Sequence, residues 1–423
     1  MVKKLFIIAA IALVGCNSEG VEIITEGEAE GDLFEKPEVV IEDGNVSLSK
    51  SEEGVIDAYE DFALTATCDL MPEESNFVYS PLSTTLALSL AANAAGENTY
   101  DELVAAMGLN GKDIDEINRL NYTLLQALPA LNDDVEVSFA NALFTSDVYD
   151  LLRPFKSRLT DAYDGRFFTL KSKQEAEQIN AWVMEKTKGQ ISDLVEDTDF
   201  DEEKASFAFV NTCYLKAPWV SQFTTTEEKP FNLIDGSQIN AQFLEELQLV
   251  KYANINGMEV VTLELGYESG FEVMFVLPNP SQTVSKALAE INSNGGFSAI
   301  SKDMERDFVV LSLPKFKISE KIDFVDWLKQ KGVIDLFDEY RAYLFKMALI
   351  PSYVTYVRQR CEFELDEKGV CGSAASVVGG FAGATGDDVE PEYREITLDR
   401  PFGFCVREAS TSAILFMGQV VQP

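Results

Sequence analysis

Between Gly369 and Gly386 the chain carries no charge and no proline, although 25% of all its residues are Asp, Glu, Lys or Arg. With its flanks the stretch reads EKGVCGSAASVVGGFAGATGDD (residues 367–388). It is mostly Gly, Ala and Ser, broken by Val370, Cys371, Val377, Val378, Phe381 and Thr385. Its side chains are too small to form a core and too apolar for an ordinary acidic surface loop. A flexible linker is the plain reading. Against it, the stretch lies about forty residues from the C-terminus, too few for a second domain. Drawn out as a strand, it places Val370, Gly372, Ala374, Ser376 and Val378 on one face. All are small and uncharged. A central strand excludes proline, which has no N–H to donate, and a buried face excludes an unpaired charge. The segment therefore fits a loop in one state and a buried strand in another.

The rest of the chain sets the frame. Its 423 residues are 46% hydrophobic and 11% aromatic, enough for one large core. A formal charge of −37 argues against a nucleic-acid partner, whose phosphates would repel it. The first sixteen residues, MVKKLFIIAAIALVGC, have two lysines, an apolar run and small residues, the layout of a signal peptide. The end, Leu13-Val14-Gly15-Cys16, is similar to a bacterial lipoprotein signal in which Cys16 is lipidated. An ordinary secretory peptide cut nearby is the alternative. Residues 16–53 are acidic, rich in Gly and Ser, and expected to be a largely disordered tether. Beyond Cys16 there are five cysteines, an odd number with no C-x-x-C pair, so neither a zinc site nor a complete disulfide framework is expected.

Enzyme chemistry finds little support. The protein contains no histidine, which removes Ser-His-Asp and Cys-His mechanisms and the usual zinc sites. Neither a nucleophile elbow nor a phosphate-binding loop occurs. The Ser-x-x-Lys spacings at Ser47/Lys50 and Ser312/Lys315 read as chance. DTDFDEE (197–203) opens like a calcium loop but has Glu202 where that loop needs Gly and Ala208 where it needs Glu. No cofactor or metal is expected.

Apolar periodicity predicts two helices over residues 54–110 and an amphipathic helix over 175–195 that stops near Gly189. Strands are expected at ASFAFVNTCYLKAPWV, MEVVTLELG, FEVMFVLP and DFVVLSLPKFKI. Helices and strands intermix without a repeat or linker, which predicts one α+β domain over residues 54–423.

Several of these segments resemble the serpin family. NFVYSPLS (76–83) is similar to its N-x-x-x-S-P-x-S motif. FANALF (139–144) and INAWVMEKTKGQISDLV (179–195) follow. FVNTCYLKAPWVSQF (209–223) carries the family's Asn, Lys, Trp and Phe positions. LPKFKI (313–318), DEKG (366–369) and the ending RPFGFCVREASTSAILFMGQVVQP complete the resemblance.

The resemblance implies helices packed on three β-sheets, with an exposed reactive-centre loop over about residues 367–395. It implies a suicide inhibitor of serine, or as a second class cysteine, proteases: cleavage of the loop gives an acyl-enzyme, and the cleaved loop inserts as a new strand. The hinge would be Glu367, Gly369, Val370, Gly372 and Ala374. Val370 and Cys371 depart from the usual Thr and Glu, but none of these residues is charged on the inserting face. The reactive bond is expected at Gly383-Ala384, with Phe381 and Ala382 as alternatives, which suits elastase- or subtilisin-like proteases. The polar cluster beneath the opening sheet would comprise Asn76, Ser80, Ser83, Asn211 and Gln359, the last standing where the family has histidine. Together these readings predict a monomer at a bacterial outer membrane or cell surface, anchored by lipid at Cys16. Residues 1–15 would be the signal peptide. A non-inhibitory serpin acting as a binding module is the rival reading.

Overall fold

The computed structural model describes residues 34–170, 175–197, 207–370 and 393–423. In chain order its helices are α1 (Lys50–Leu70), α2 (Pro81–Ala94), α3 (Glu97–Ala106), α4 (Ile114–Ala127), α5 (Arg153–Tyr163), α6 (Glu175–Lys186), α7 (Val284–Ser293), α8 (Gly296–Asp303) and α9 (Val325–Gln330). The first strands are β1 (Val40–Glu42), β2 (Asn45–Ser47), β3 (Phe77–Tyr79), β4 (Glu136–Thr145), β5 (Arg166–Thr169) and β6 (Phe207–Pro218). Then come β7 (Thr225–Asn232), β8 (Gln238–Ile255), β9 (Met258–Leu265), β10 (Phe271–Leu277), β11 (Glu305–Pro314) and β12 (Phe316–Asp323). The last are β13 (Arg358–Asp366), β14 (Gly369–Val370), β15 (Arg394–Thr397), β16 (Phe402–Glu408) and β17 (Ile414–Val420).

Among the described residues the strands form three sheets: a β1–β2 hairpin, a nine-stranded sheet and a six-stranded sheet. The nine-stranded sheet runs β15-β11-β8-β9-β10-β16-β17-β3, with β7 also on β8. Strand β8 is eighteen residues long and lets one sheet continue around a bend, pairing in turn with β7, β11 and β9. Strands β10, β16 and β17 are buried along their whole length, so they carry apolar residues on both faces, and the charges inside them are paired, Arg407 of β16 with Glu272 of β10 at 2.8 Å. The six-stranded sheet has the order β12-β13-β14-β6-β4-β5. Helix α2 packs behind it on the main core, and α6 covers its other face through Ile179, Trp182 and Val183 against Phe144, Ala208 and Val210.

The expected strands fall on β6, β9, β10, β11 and β12, and the 175–195 helix is α6. Two expectations need correction. Residues 54–110 hold three helices, because the chain breaks at Ala95-Gly96. Gly96 donates to the Tyr343 carbonyl at 3.0 Å, and a Cβ there would lie 2.9 Å from the Tyr343 ring. Of the disordered tether expected over 16–53, residues 34–53 are instead ordered: the Phe34 ring is buried against the core and lies 6.1 Å from the Tyr122 ring. Asp43 and Gly44 both have positive φ (50° and 75°) and turn the β1–β2 hairpin, as a two-residue Asp-Gly loop does. A capping box then starts α1 at Lys50: Glu52 accepts from the Ser49 N–H at 2.8 Å, and Ser49 accepts from the Glu52 N–H.

Candidate functional site

The site begins at a tight turn. Asp366 Oδ1 accepts from the N–H groups of Lys368 (2.8 Å) and Gly369 (3.2 Å), an Asx turn that reverses the chain after β13. Trp219 clamps its other side: the indole N–H donates to the Asp366 carbonyl at 2.8 Å, and its backbone N–H to Lys368 O at 3.1 Å. Lys315 pairs with Glu367 at 2.7 Å, and this ammonium holds the Glu367 carboxyl below its ordinary value.

After the turn, the two residues of β14 pair antiparallel on both sides. Val370 lies opposite Leu365 of β13 and Ala217 of β6, and Gly369 lies opposite Asp366 and Pro218. Val370 is fully buried. Gly369 has φ +156°, and a Cβ on it would overlap the Ala217 carbonyl and come within 2.8 Å of the Pro218 Cα. Only glycine fits there.

Because β14 is antiparallel to both neighbours, β6 and β13 run parallel to each other. Among the described residues no ladder joins them directly. Beyond β14 the facing N–H and C=O groups of these two strands have no ladder partner among the described residues, and this border is termed the gap. The gap passes through the sheet. A cavity of about 60 Å³ is lined by Ser80, Thr84 and Phe416 on one side and by Val183 and Ile191 on the other. A second cavity of about 540 Å³ continues toward the far end, lined by Phe207, Phe209, Val210, Val354 and Tyr356 among others.

Polar groups sit at mid-gap. Gln359 Oε1 accepts from the Ser80 N–H at 2.8 Å, while Nε2 donates to Ser80 O (3.0 Å) and Thr84 Oγ1 (3.2 Å). Ser80 caps α2, its hydroxyl accepting from the Ser83 N–H at 3.3 Å. Asn211 donates to Asn141 Oδ1 at 2.6 Å, and its own Oδ1 is buried without a partner among the described residues. Ser80, Ser83, Asn211 and Gln359 all line the 60 Å³ cavity. Asn76 does not join them: it donates to the Gln422 carbonyl and accepts from the Val421 and Gln422 N–H groups, tying the C-terminal strand to the start of β3. Of the hinge residues, Glu367, Gly369 and Val370 are placed as above. Gly372, Ala374, Phe381, Ala382, Gly383 and Ala384, and the lipidation cysteine Cys16, lie outside the described residues. Thr84, Lys315 and Asp366 escaped the reading of the sequence as site members, because nothing in their local pattern marks a contact made across the fold.

The serpin (serine protease inhibitor) family model matches residues 57–423. The chain belongs to the serpin family. It is 30% identical to Serpin-Z1A of Triticum aestivum over 370 residues, covering 82% of this chain and 90% of that one. Serpin-Z10 of Arabidopsis thaliana is 27% identical, covering 82% and 92%. Among solved structures, the native thermophilic serpin tengpin superposes with a TM-score of 0.77 at 22% identity, covering 89% of this chain and 95% of that one. Human thyroxine-binding globulin complexed with thyroxine gives 0.78 at 22% identity, covering 88% and 99%. These two structures show the fold alone. Serpins are generally protease inhibitors.

Proposed function

We propose that this serpin is a suicide inhibitor of elastase- or subtilisin-like serine proteases, with cysteine proteases as a second class. Its cleaved loop inserts between β6 and β13. The observation that carries the reading is Val370, already seated as a central-strand residue at the mouth of the gap. Continued in that register, position 372 falls between Phe363 and Leu215, position 374 between Cys361 and Cys213, and position 376 between Gln359 and Asn211. The Asn211 acceptor, without a partner among the described residues, then meets a strand that has donors to offer. The described part of β6 reaches Phe207, opposite position 380, so filling the gap along it takes residues 370–380, about 36 Å of strand at 3.3 Å per residue. The cleaved bond must lie beyond that point, which supports Gly383-Ala384 with Ala382 as the nearby alternative. Phe381 leaves almost no slack.

The bait residues are small, and no Lys or Arg lies between Gly369 and Glu390. A trypsin-type pocket with an acidic floor finds no partner there. The expected result is an SDS-resistant complex with pancreatic elastase or subtilisin, together with release of a C-terminal peptide whose mass begins at residue 384. A stoichiometric trypsin complex with cleavage at Arg394 overturns the reading. The rival, a non-inhibitory binding module, predicts cleavage without complex.

The same proposal places the protein outside the cytoplasm as a monomer, held to a bacterial outer membrane or cell surface by lipid on Cys16. Among the described residues no helix is long and apolar enough to cross a membrane. Detergent is then required for extraction, and a Cys16→Ser protein that still fractionates with membranes refutes the anchor.

A further inference from the structure

We propose that Cys213 and Cys361 form a redox-sensitive pair whose disulfide closes the gap between β6 and β13. Its consequence for inhibition rests on the insertion reading above. Both residues are thiols in the structure. They stand on the two strands that border the gap, pack against the same core cluster and line the same cavity. The registers of β14 with its neighbours place them at one level, since both oppose position 374 of an antiparallel strand continued from Val370. Neither Cys68 nor Cys405 borders this gap.

Geometry makes the pair a reporter of sheet state. Where β14 lies between them, β6 and β13 are roughly 9.6 Å apart, twice the ordinary strand spacing. A disulfide needs Cα atoms about 4.4–6.8 Å apart. Bridging is therefore excluded while the gap is open. A sideways closure that brings the strands into a direct pair sets them about 4.8 Å apart at the same level, within bonding range. The bridge then staples the sheet shut. The chemistry balances with a small-molecule disulfide such as oxidised glutathione. The Cys213 thiolate attacks one of its sulfurs, forming a mixed disulfide and expelling one glutathione thiolate. The Cys361 thiolate attacks the Cys213 sulfur, forming the protein disulfide and expelling the second. Two protein thiols are oxidised, one glutathione disulfide is reduced, and the two protons pass to solvent or to the released thiolates.

The test uses the full chain, purified in detergent, carrying Cys371→Ser so that the loop cysteine cannot compete. It is equilibrated with oxidised glutathione, and a parallel sample with reduced. The expected result is a 2 Da mass loss, a peptide pair joining residues 213 and 361, and at least a tenfold lower yield of covalent elastase complex, restored by dithiothreitol. Cys213→Ser and Cys361→Ser proteins keep the same yield under both conditions. Absence of the 213–361 peptide overturns the pair, and so does a bridged protein that still traps elastase in full yield. If the reduced protein forms no complex with any protease, the inhibitory reading fails on its own. The peptide map, and whether bridging blocks the heat stabilisation caused by nicking the loop, still decide the pair; a nicked, bridged protein as stable as the nicked, reduced one refutes it.

Discussion

At Gln359 a single amide satisfies partners of opposite kinds, accepting from one backbone N–H of Ser80 and donating to its carbonyl and to Thr84. A neutral imidazole reproduces that arrangement, with one nitrogen accepting and the other donating. An imidazolium only donates, and it would face the Ser80 N–H with a second donor. In a Gln359→His protein the folded-state pKa of the new histidine is thus pushed below the ordinary value of about 6.5. A depressed pKa contributes stability above the unfolded value that is lost as pH falls through the folded value. The variant should therefore match the native protein at pH 8 and fall behind by about 1–2 kcal/mol near pH 5. The native chain has no histidine and lacks this loss. Urea midpoints at pH 8, 6.5 and 5 for both proteins decide it; parallel pH responses refute the account.

At the scale of elements, β14 is the shortest strand and the one that defines the site. Its position was partly legible. The charge-free face of the loop and the Asp-Glu-Lys-Gly turn both stand in the sequence, whereas the full burial of FEVMFVL does not, because Glu272 inside it is paired with Arg407 and Lys251 from other strands. What stayed illegible depends on partners distant in the chain. The break between α2 and α3 depends on Tyr343, and the contact of Gln359 with Thr84 spans the fold. Asp43-Gly44 is a different case: it is a strong local hairpin signal hidden by the acidic composition around it. The same logic gives a test of β14. Val370 is fully buried between Leu365 and Ala217, so Val370→Arg puts an unpaired cation into the sheet at a cost of several kcal/mol. The hinge should then leave the gap, insertion should slow, and elastase should cleave the variant with turnover instead of forming complex. The yield of covalent complex per cleaved loop measures this. A yield equal to the native protein's removes strand insertion as the mechanism.

Among the described residues, the six-stranded sheet has no strand between β6 and β13 beyond the two residues of β14. A cavity of about 540 Å³ and a narrower one of about 60 Å³ lie along the gap between β6 and β13. Asn211 keeps a buried acceptor without a partner among the described residues. Voids forgo the dispersion contacts that a packed side chain would make, and unpaired polar groups keep their desolvation cost. The intact form is therefore expected to sit above a more stable arrangement that the uncut loop, tied at both ends, cannot reach. One cut in the loop removes the tie. Residues 370–380 then supply backbone donors and acceptors to both bordering strands and small side chains to the cavities. In a domain of this size a net gain of ~5 kcal/mol moves the thermal midpoint by roughly 6 °C. Nicking with a protease that is not trapped, then comparing unfolding of intact and nicked protein by calorimetry, measures the gain without any dependence on the target enzyme. A rise of that order is expected, and it should vanish in Val370→Arg, which is nicked equally well but cannot seat the strand. Equal midpoints for intact and nicked native protein would mean that the gap is never filled, and that this serpin acts as a binding module.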